Sequence, residues 1–313
     1  MKFLYYLSAT LRFGWLFPVL RSLRNISLLK HLITLWDPNG IRKNVAVSLP
    51  ERRVRIDFGS YRLWVNLNDH IGYNTYIRNE PFEMSVYRIG RKLNLSPNDI
   101  VLDIGANIGT ASVLLCAETG CELIAVEASK HNAGLLAQNI FENHLTSKLI
   151  LVALVSPACT ARYVSLYIRN GNTGANSLHK NWNPSVVDAG AERVPAETLD
   201  HLMKEEPVER IKLIKIDVEG AEADVLSGAA AFLAKCKAPI LMEHRLDVMQ
   251  KYLRSDLSEA LGILQNTHHV MALDKQGALQ DFDENASYEN ILFIPNERLA
   301  EITGLLASPP VSP

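Results

Sequence analysis

Cysteine is scarce in this sequence and is not paired. Four occur in 313 residues, at positions 116, 121, 159 and 236, and none has metal-knuckle spacing. That excludes a thiolate metal site and a disulfide framework, and it fits small core thiols in a reducing, cytoplasmic compartment. A surplus of one sign of charge is also missing. Lys and Arg total 32, Asp and Glu 34, and the net charge is −2, so the broad basic footprint of a nucleic-acid binder is absent. No apolar run is long enough to cross a bilayer, because Arg12 and Arg21 interrupt the first candidate. No small-residue cleavage site follows a clean apolar core, so a signal peptide is not expected.

Acid is lacking altogether before Asp37, while Lys2, Arg12, Arg21, Arg24 and Lys30 punctuate an apolar, aromatic stretch. Residues 1–36 therefore suit either the inner face of a membrane, as a basic amphipathic segment, or a helical arm packed on its own domain or a partner. Pro18 breaks the stripe.

What is present is a chain that is 48% hydrophobic and 21% charged, enough for a full core in one large α/β domain with additions. Residues 53–66 alternate as a β-hairpin about Gly59-Ser60, and 80–95 read as a helix. Strands are then expected at 100–104, 121–126, 149–155, 211–217, 239–243, 268–273 and 290–294, the last two as an antiparallel pair at one edge. Helices are expected at 109–118, 130–143, 220–235 and 256–266, with Ser129 capping the second. Alternation of this kind predicts a doubly wound, mostly parallel sheet covered on both faces. The stretch 156–197 breaks the rhythm with a strand at 163–168 and a polar run from Arg169 to Ser177. The expected divisions are 1–50, an N-terminal extension; 51–98, hairpin and helix; 99–296, the main domain; and 297–313, a tail.

Two strand ends carry the chemistry. The first is Val101-Leu-Asp103-Ile-Gly105-Ala-Asn107-Ile-Gly109. Ligands of open α/β sheets sit beyond the carboxyl ends of strands. Gly105 allows a sharp turn, Gly109 a close helix start, and helix amides favour an anion. The dinucleotide fingerprint G-x-G-x-x-G is missing, and Asn107 obstructs a pyrophosphate. An amino-acid ligand fits better, its carboxylate on the amides and its ammonium at Asp103. Glu127 ends the next strand, where a carboxylate can accept from both ribose hydroxyls. Ala153, one strand further on, is placed with this cofactor set.

These residues, with Thr198-Leu-Asp200, Lys215-Ile-Asp-Val-Glu-Gly-Ala-Glu222, Gly228-Ala229 and Pro239-Ile240 running to Glu243, resemble the FkbM family of methyltransferases over roughly residues 70–295. The resemblance implies the class I, Rossmann-like methyltransferase fold with a seven-stranded sheet and an antiparallel edge strand. It implies S-adenosylmethionine as donor and usually O-methylation of sugar, glycan or natural-product hydroxyls. A nicotinamide-dependent sugar oxidoreductase and a non-catalytic nucleoside binder are the alternatives.

The second strand end, Ile214-Lys-Ile-Asp217-Val-Glu219, meets Glu243-His244 from the strand beside it. Moving a methyl onto a hydroxyl needs alignment and a group to take the proton. Asp217, Glu219 and His244 are the candidate catalytic residues, in that order, without a unique base. Glu222 reads as a helix-end acid. A divalent cation held by these oxygens is permitted by the spacing but not required, and no metal ligand is assigned. Asn172, Asn176, Ser177 and Glu243 are the candidate acceptor contacts, because amides and hydroxyls serve a polyhydroxyl ligand.

Overall fold

The computed structural model describes residues 53–59, 61–180, 188–243, 254–274, 277–284, 286, 288 and 290–307. Residues 1–36, His244 and the tail 308–313 lie outside the described residues.

The expected hairpin is present as β1 (Arg53–Phe58) and β2 (Tyr61–Asn66), paired antiparallel with Val54 opposite Val65. Two helices follow, α1 (His70–Arg78) and α2 (Met84–Lys92). The first was not anticipated, although Asp69 caps it by accepting from the Ile71 amide.

Then comes the sheet that organises the molecule. β3 (Ile100–Ile104), β4 (Glu122–Glu127), β5 (Ser147–Leu151), β9 (Ile211–Ile216) and β10 (Ile240–Glu243) run parallel, in the order β5-β4-β3-β9-β10. β13 (Asn290–Pro295) inserts antiparallel between β10 and β11 (His268–Leu273), and β12 (Leu279–Asp281) forms the antiparallel edge. The sheet thus has eight strands, the seven expected ones and the short β12. The central strands are apolar and branched because both faces are covered.

The helices between strands are α3 (Ser112–Thr119), α4 (Lys130–Glu142), α5 (Leu199–Leu202), α6 (Glu222–Ser227), α7 (Ala230–Lys235) and α8 (Arg254–Leu264). Ser129 caps α4 as expected, accepting from the Asn132 amide. The single helix expected over 220–235 is instead α6 and α7, broken at Gly228-Ala229. A Cβ on Gly228 would stand 2.6 Å from the Val155 carbonyl oxygen. Asp200 then caps the restart, its two oxygens accepting from the Ala231 and Phe232 amides at 3.0 and 2.7 Å.

The strand expected over 149–155 is also divided. β5 stays in the main sheet, whereas β6 (Ala153–Leu154) leaves it to pair with β8 (Asp188–Glu197). β7 (Tyr163–Arg169) completes a three-stranded sheet in the order β6-β8-β7. The stretch 297–313, expected to be a tail, contains α9 (Leu299–Ala307). Its Ile302 and Leu306 are buried in the main core.

One core joins hairpin, helices and sheet. Ile56, Leu63 and Ile89 are buried in the same cluster as Val101, Leu115 and Leu123. The outer edge of β2 is closed by side chains rather than by a strand. Asn139 accepts from the Trp64 amide at 2.7 Å and donates to its carbonyl at 3.1 Å. Asn143 does the same for Arg62, at 2.9 and 2.6 Å. Four helix residues rise about 6 Å and two strand residues about 6.6 Å, so the two asparagines match alternate strand positions.

Candidate functional site

The carboxyl ends of β3, β4 and β9 open onto one cleft. Among the residues lining it are Gly105, Asn107, Glu127, Ala153, Asn172, Asn176, Asp217, Glu219 and Glu243. Most of the anticipated site residues are therefore brought together. Because β3 lies between β4 and β9, Glu127 and Asp217 flank the Gly105 turn from opposite sides.

That turn is forced by its neighbours. Gly105 has φ +76°, and a Cβ there would collide with the Asp217 carbonyl oxygen. Asn107 also takes the left-handed region, at φ 52°, with its side-chain oxygen accepting from the Ile108 amide at 2.8 Å. Glu127 fixes the loop from the end of the adjacent strand β4. Its Oε2 accepts from the Asn107 amide at 2.8 Å and its Oε1 from the Ser129 amide at 2.7 Å. Burial pushes its carboxyl up to about 6, against those two amides.

Three anticipated residues stand elsewhere. Asp103 is 2% exposed and lies beneath the cleft instead of lining it. Its carboxylate faces Lys215, with Nζ to Oδ1 at 3.5 Å, so an ammonium of this chain takes the place expected for that of a ligand. Gly109 is also behind the wall. Its missing side chain makes room for Leu136 of α4 and Val113 of α3, each 2.6 Å from where a Cβ would be. Ser177 is buried and off the wall, its hydroxyl donating to the Glu219 carbonyl at 2.6 Å. It shapes the rim without facing an acceptor.

The second motif is a tight loop. Glu219 and Gly220 both have positive φ, 55° and 96°. Glu222, 1% exposed, accepts from the Val218 and Gly220 amides, both at 3.0 Å. It is thus a buried clamp that holds Asp217 and Glu219 at the rim. Asp217, Glu219 and Glu243 bring ligand atoms within 4.8 Å of one another. The spacing admits a hard cation, but nothing beyond the three acids calls for one, and no metal is assigned.

The polar run after β7 folds over the cleft as a strap. Asp69 Oδ2 accepts from the Thr173 amide at 2.6 Å, and the His70 amide donates to the Gly171 carbonyl at 2.9 Å. Asn176 accepts from the Arg169 amide through its side chain at 2.8 Å.

The sequence reading gave no role to several residues of the site. Lys215 is 4% exposed. Its Nζ lies 3.0 Å from Glu83, 3.4 Å from Asp217 and 3.5 Å from Asp103, and donates to the Gly105 carbonyl at 2.9 Å. Burial alone would lower its basicity, but Glu83, Asp103 and Asp217 hold it well above the usual lysine range. A lysine in a central branched strand needs such partners, and that was the available signal. Asn132 lines the cleft at 1% exposure. Its Nδ2 reaches the Thr173 carbonyl at 3.4 Å, while its Oδ1 has no hydrogen-bond partner. His70, Phe82 and Glu83 enter the wall from the segment before β3, with His70 edge-on to Phe82 at 5.6 Å.

A family model described as "Methyltransferase FkbM domain" matches residues 103–273, more than half of the chain. The chain belongs to the FkbM methyltransferase family. The FkbM domain thus spans β3 to β11 and holds both strand-end motifs. No curated protein matches the sequence.

Among solved structures, methyltransferase FkbM from Methylobacillus flagellatus KT is similar, with 17% identity and a TM-score of 0.37. That match covers 70% of this chain and 52% of the other, so this FkbM chain spans about half the length of that relative. The O-methyltransferase TomG from Streptomyces achromogenes, in complex with SAM, shows 11% identity, a TM-score of 0.39 and coverage of 67% and 78%. TrmK from M. capricolum, in complex with S-adenosyl-homocysteine, shows 11% identity, a TM-score of 0.35 and coverage of 67% and 68%. The mostly parallel sheet with β13 inserted antiparallel is the Rossmann-like, class I methyltransferase fold.

Proposed function

We propose that this protein binds S-adenosylmethionine and methylates a hydroxyl of a sugar, glycan or natural-product acceptor. The carrying observation is the cleft in which Glu127 and Asp217 flank one glycine turn, within a chain of the FkbM family. Glu127 keeps lone pairs for ribose hydroxyls beyond the two amides that it already accepts from. Gly105 and Asn107 leave the turn open beside it, Ala153 lines the same cleft, and the unpartnered Oδ1 of Asn132 supplies a further acceptor. These residues fit a nucleoside carrying an amino-acid arm.

The bound donor supplies a methyl on a sulfonium, whose carbon–sulfur bond breaks with its electron pair left on sulfur. Asp217, Glu219 and Glu243 orient the acceptor hydroxyl at the rim, and Asn172 and Asn176 reach it from the strap. As the oxygen forms its bond to carbon, its O–H bond breaks and a rim carboxylate takes the proton. Asp217 is the first candidate, because its Oδ1 is buried without a hydrogen-bond partner.

Warming the protein with S-adenosylmethionine should raise its melting temperature, and warming it with NAD should not, because a ligand of the native state alone stabilises it. Stabilisation by NAD alone would turn the reading towards an oxidoreductase.

A further inference from the structure

The segment ahead of the family match contributes a carboxylate that neither motif contains. Glu83 occupies the N-cap position of α2 but makes no side-chain cap to it. Its side chain instead lines the cleft, with Oε1 3.0 Å from Lys215 Nζ. The same ammonium serves Asp217 at 3.4 Å and Asp103 at 3.5 Å. Three carboxylates therefore crowd one cation, and if all were ionised the cluster would hold two negative charges in excess. Charges this close and this poorly hydrated do not all ionise readily, so the low-cost state retains a proton.

Of the three carboxyls, Glu83 is the one shifted towards retaining that proton. Burial first, then Asp217 and Asp103, push its carboxyl up to about 8 against the pull of Lys215. The remaining ionisable groups of the cleft are Glu219 and Glu243 on the rim, Glu127 across β3, and His70 from α1. The basic residues of α2 are engaged away from it. Arg91 pairs with Glu118, Lys92 donates to the Leu306 carbonyl at 2.6 Å, and Arg88 packs against Gly277.

On the methyltransferase reading above, we propose that Glu83 is the proton-exchanging carboxyl of this cleft. It gives up its proton when a cationic sulfonium ligand occupies the cleft and keeps it when the ligand is the neutral thioether. An ionised Glu83 then stands ready to receive the acceptor's hydroxyl proton, directly or through Asp217. The cleft carries the same charge before and after transfer. A donor charge that disappears is matched by a carboxylate charge that disappears with it.

The test needs no acceptor. Full-length protein is titrated calorimetrically with S-adenosylmethionine and, separately, with S-adenosylhomocysteine. The titrations run from about pH 6.5 to about pH 9.5, in two buffers of different ionisation heat. For the wild type, the sulfonium ligand should release a proton fraction near neutral pH that the thioether does not. The preference for sulfonium over thioether should rise about tenfold across that range if the ligand's charge lowers the carboxyl by one unit.

In Glu83→Gln the excess proton release and the pH-dependent preference should vanish while the sulfonium ligand still binds. Their survival in Glu83→Gln, or their absence from a wild type that binds both ligands, overturns the proposal. Failure of the wild type to bind either ligand overturns the methyltransferase reading itself, and this proposal with it. Should Glu83→Gln not fold, infrared difference spectra of the wild type decide. A carboxylic-acid band lost on adding the sulfonium ligand and retained with the thioether supports the proposal, and no such difference overturns it.

Discussion

At the scale of the residue, Lys215 does the most to make the cleft feasible. Its ammonium is the counter-charge for Asp103 and Asp217 beneath and beside the Gly105 turn, and it also holds the turn's carbonyl. Removing one partner of a buried ionic cluster leaves the others uncompensated, at a cost of about 3–5 kcal/mol. Lys215→Met should therefore lower the unfolding free energy by that order, measured by chemical denaturation near neutral pH. A loss under about 1 kcal/mol would show that protons on the acids, not the ammonium, balance the cluster. Asp103 illustrates what a motif conceals. The sequence shows a carboxylate at a strand end, and the role suited to it there is a ligand's ammonium. The partner that decides its role arrives from another strand 112 positions away.

At the scale of the element, the seven long strands of the main sheet were legible along the chain, because a central parallel strand must be apolar on both faces; β8, whose charged residues and proline hide it, was not. Nor was helix continuity. The pattern over 220–235 carries apolar residues throughout, yet the chain breaks at Gly228, where the backbone of Val155 approaches too closely for any side chain. Such an approach is a tertiary fact without local signature. The repair is visible once the break is known, since Asp200 accepts from two amides at the start of α7. Asp200→Ala should cost about 1 kcal/mol, within the range of lost N-caps, by thermal or chemical unfolding. Donor affinity should stay unchanged, because the cap is not among the residues that line the cleft. The departure of β6 from the line of β5 was hidden for the same reason. Val152 and Ala153 continue the apolar run without a turn signal.

At the scale of the whole molecule, the family match begins at residue 103 but the folded unit does not. The hairpin and α1 and α2 share the main core, and α1 and α2 flank residues that wall the cleft. A fragment beginning at residue 99 should therefore expose the apolar face over α3 and lose cooperative unfolding, visible as strong dye binding and a broadened transition. A sharp, two-state transition in that fragment would show that the earlier segment is an addition instead of a part of the core. Among the described residues no helix is long and apolar enough to cross a membrane.

The asparagine pair formed by Asn139 of α4 and Asn143, its C-cap, has an effect beyond holding the hairpin in place. An unpaired strand border is a template on which a second polypeptide can grow, and soluble proteins usually guard it with charge, proline or a bulge. Here two amide side chains occupy the donor and acceptor positions that an incoming backbone would need. Colloidal behaviour is thereby coupled to a helix that also carries a cleft residue, Asn132. Changes on that helix made to alter ligand preference would need checking for self-association as well as for activity.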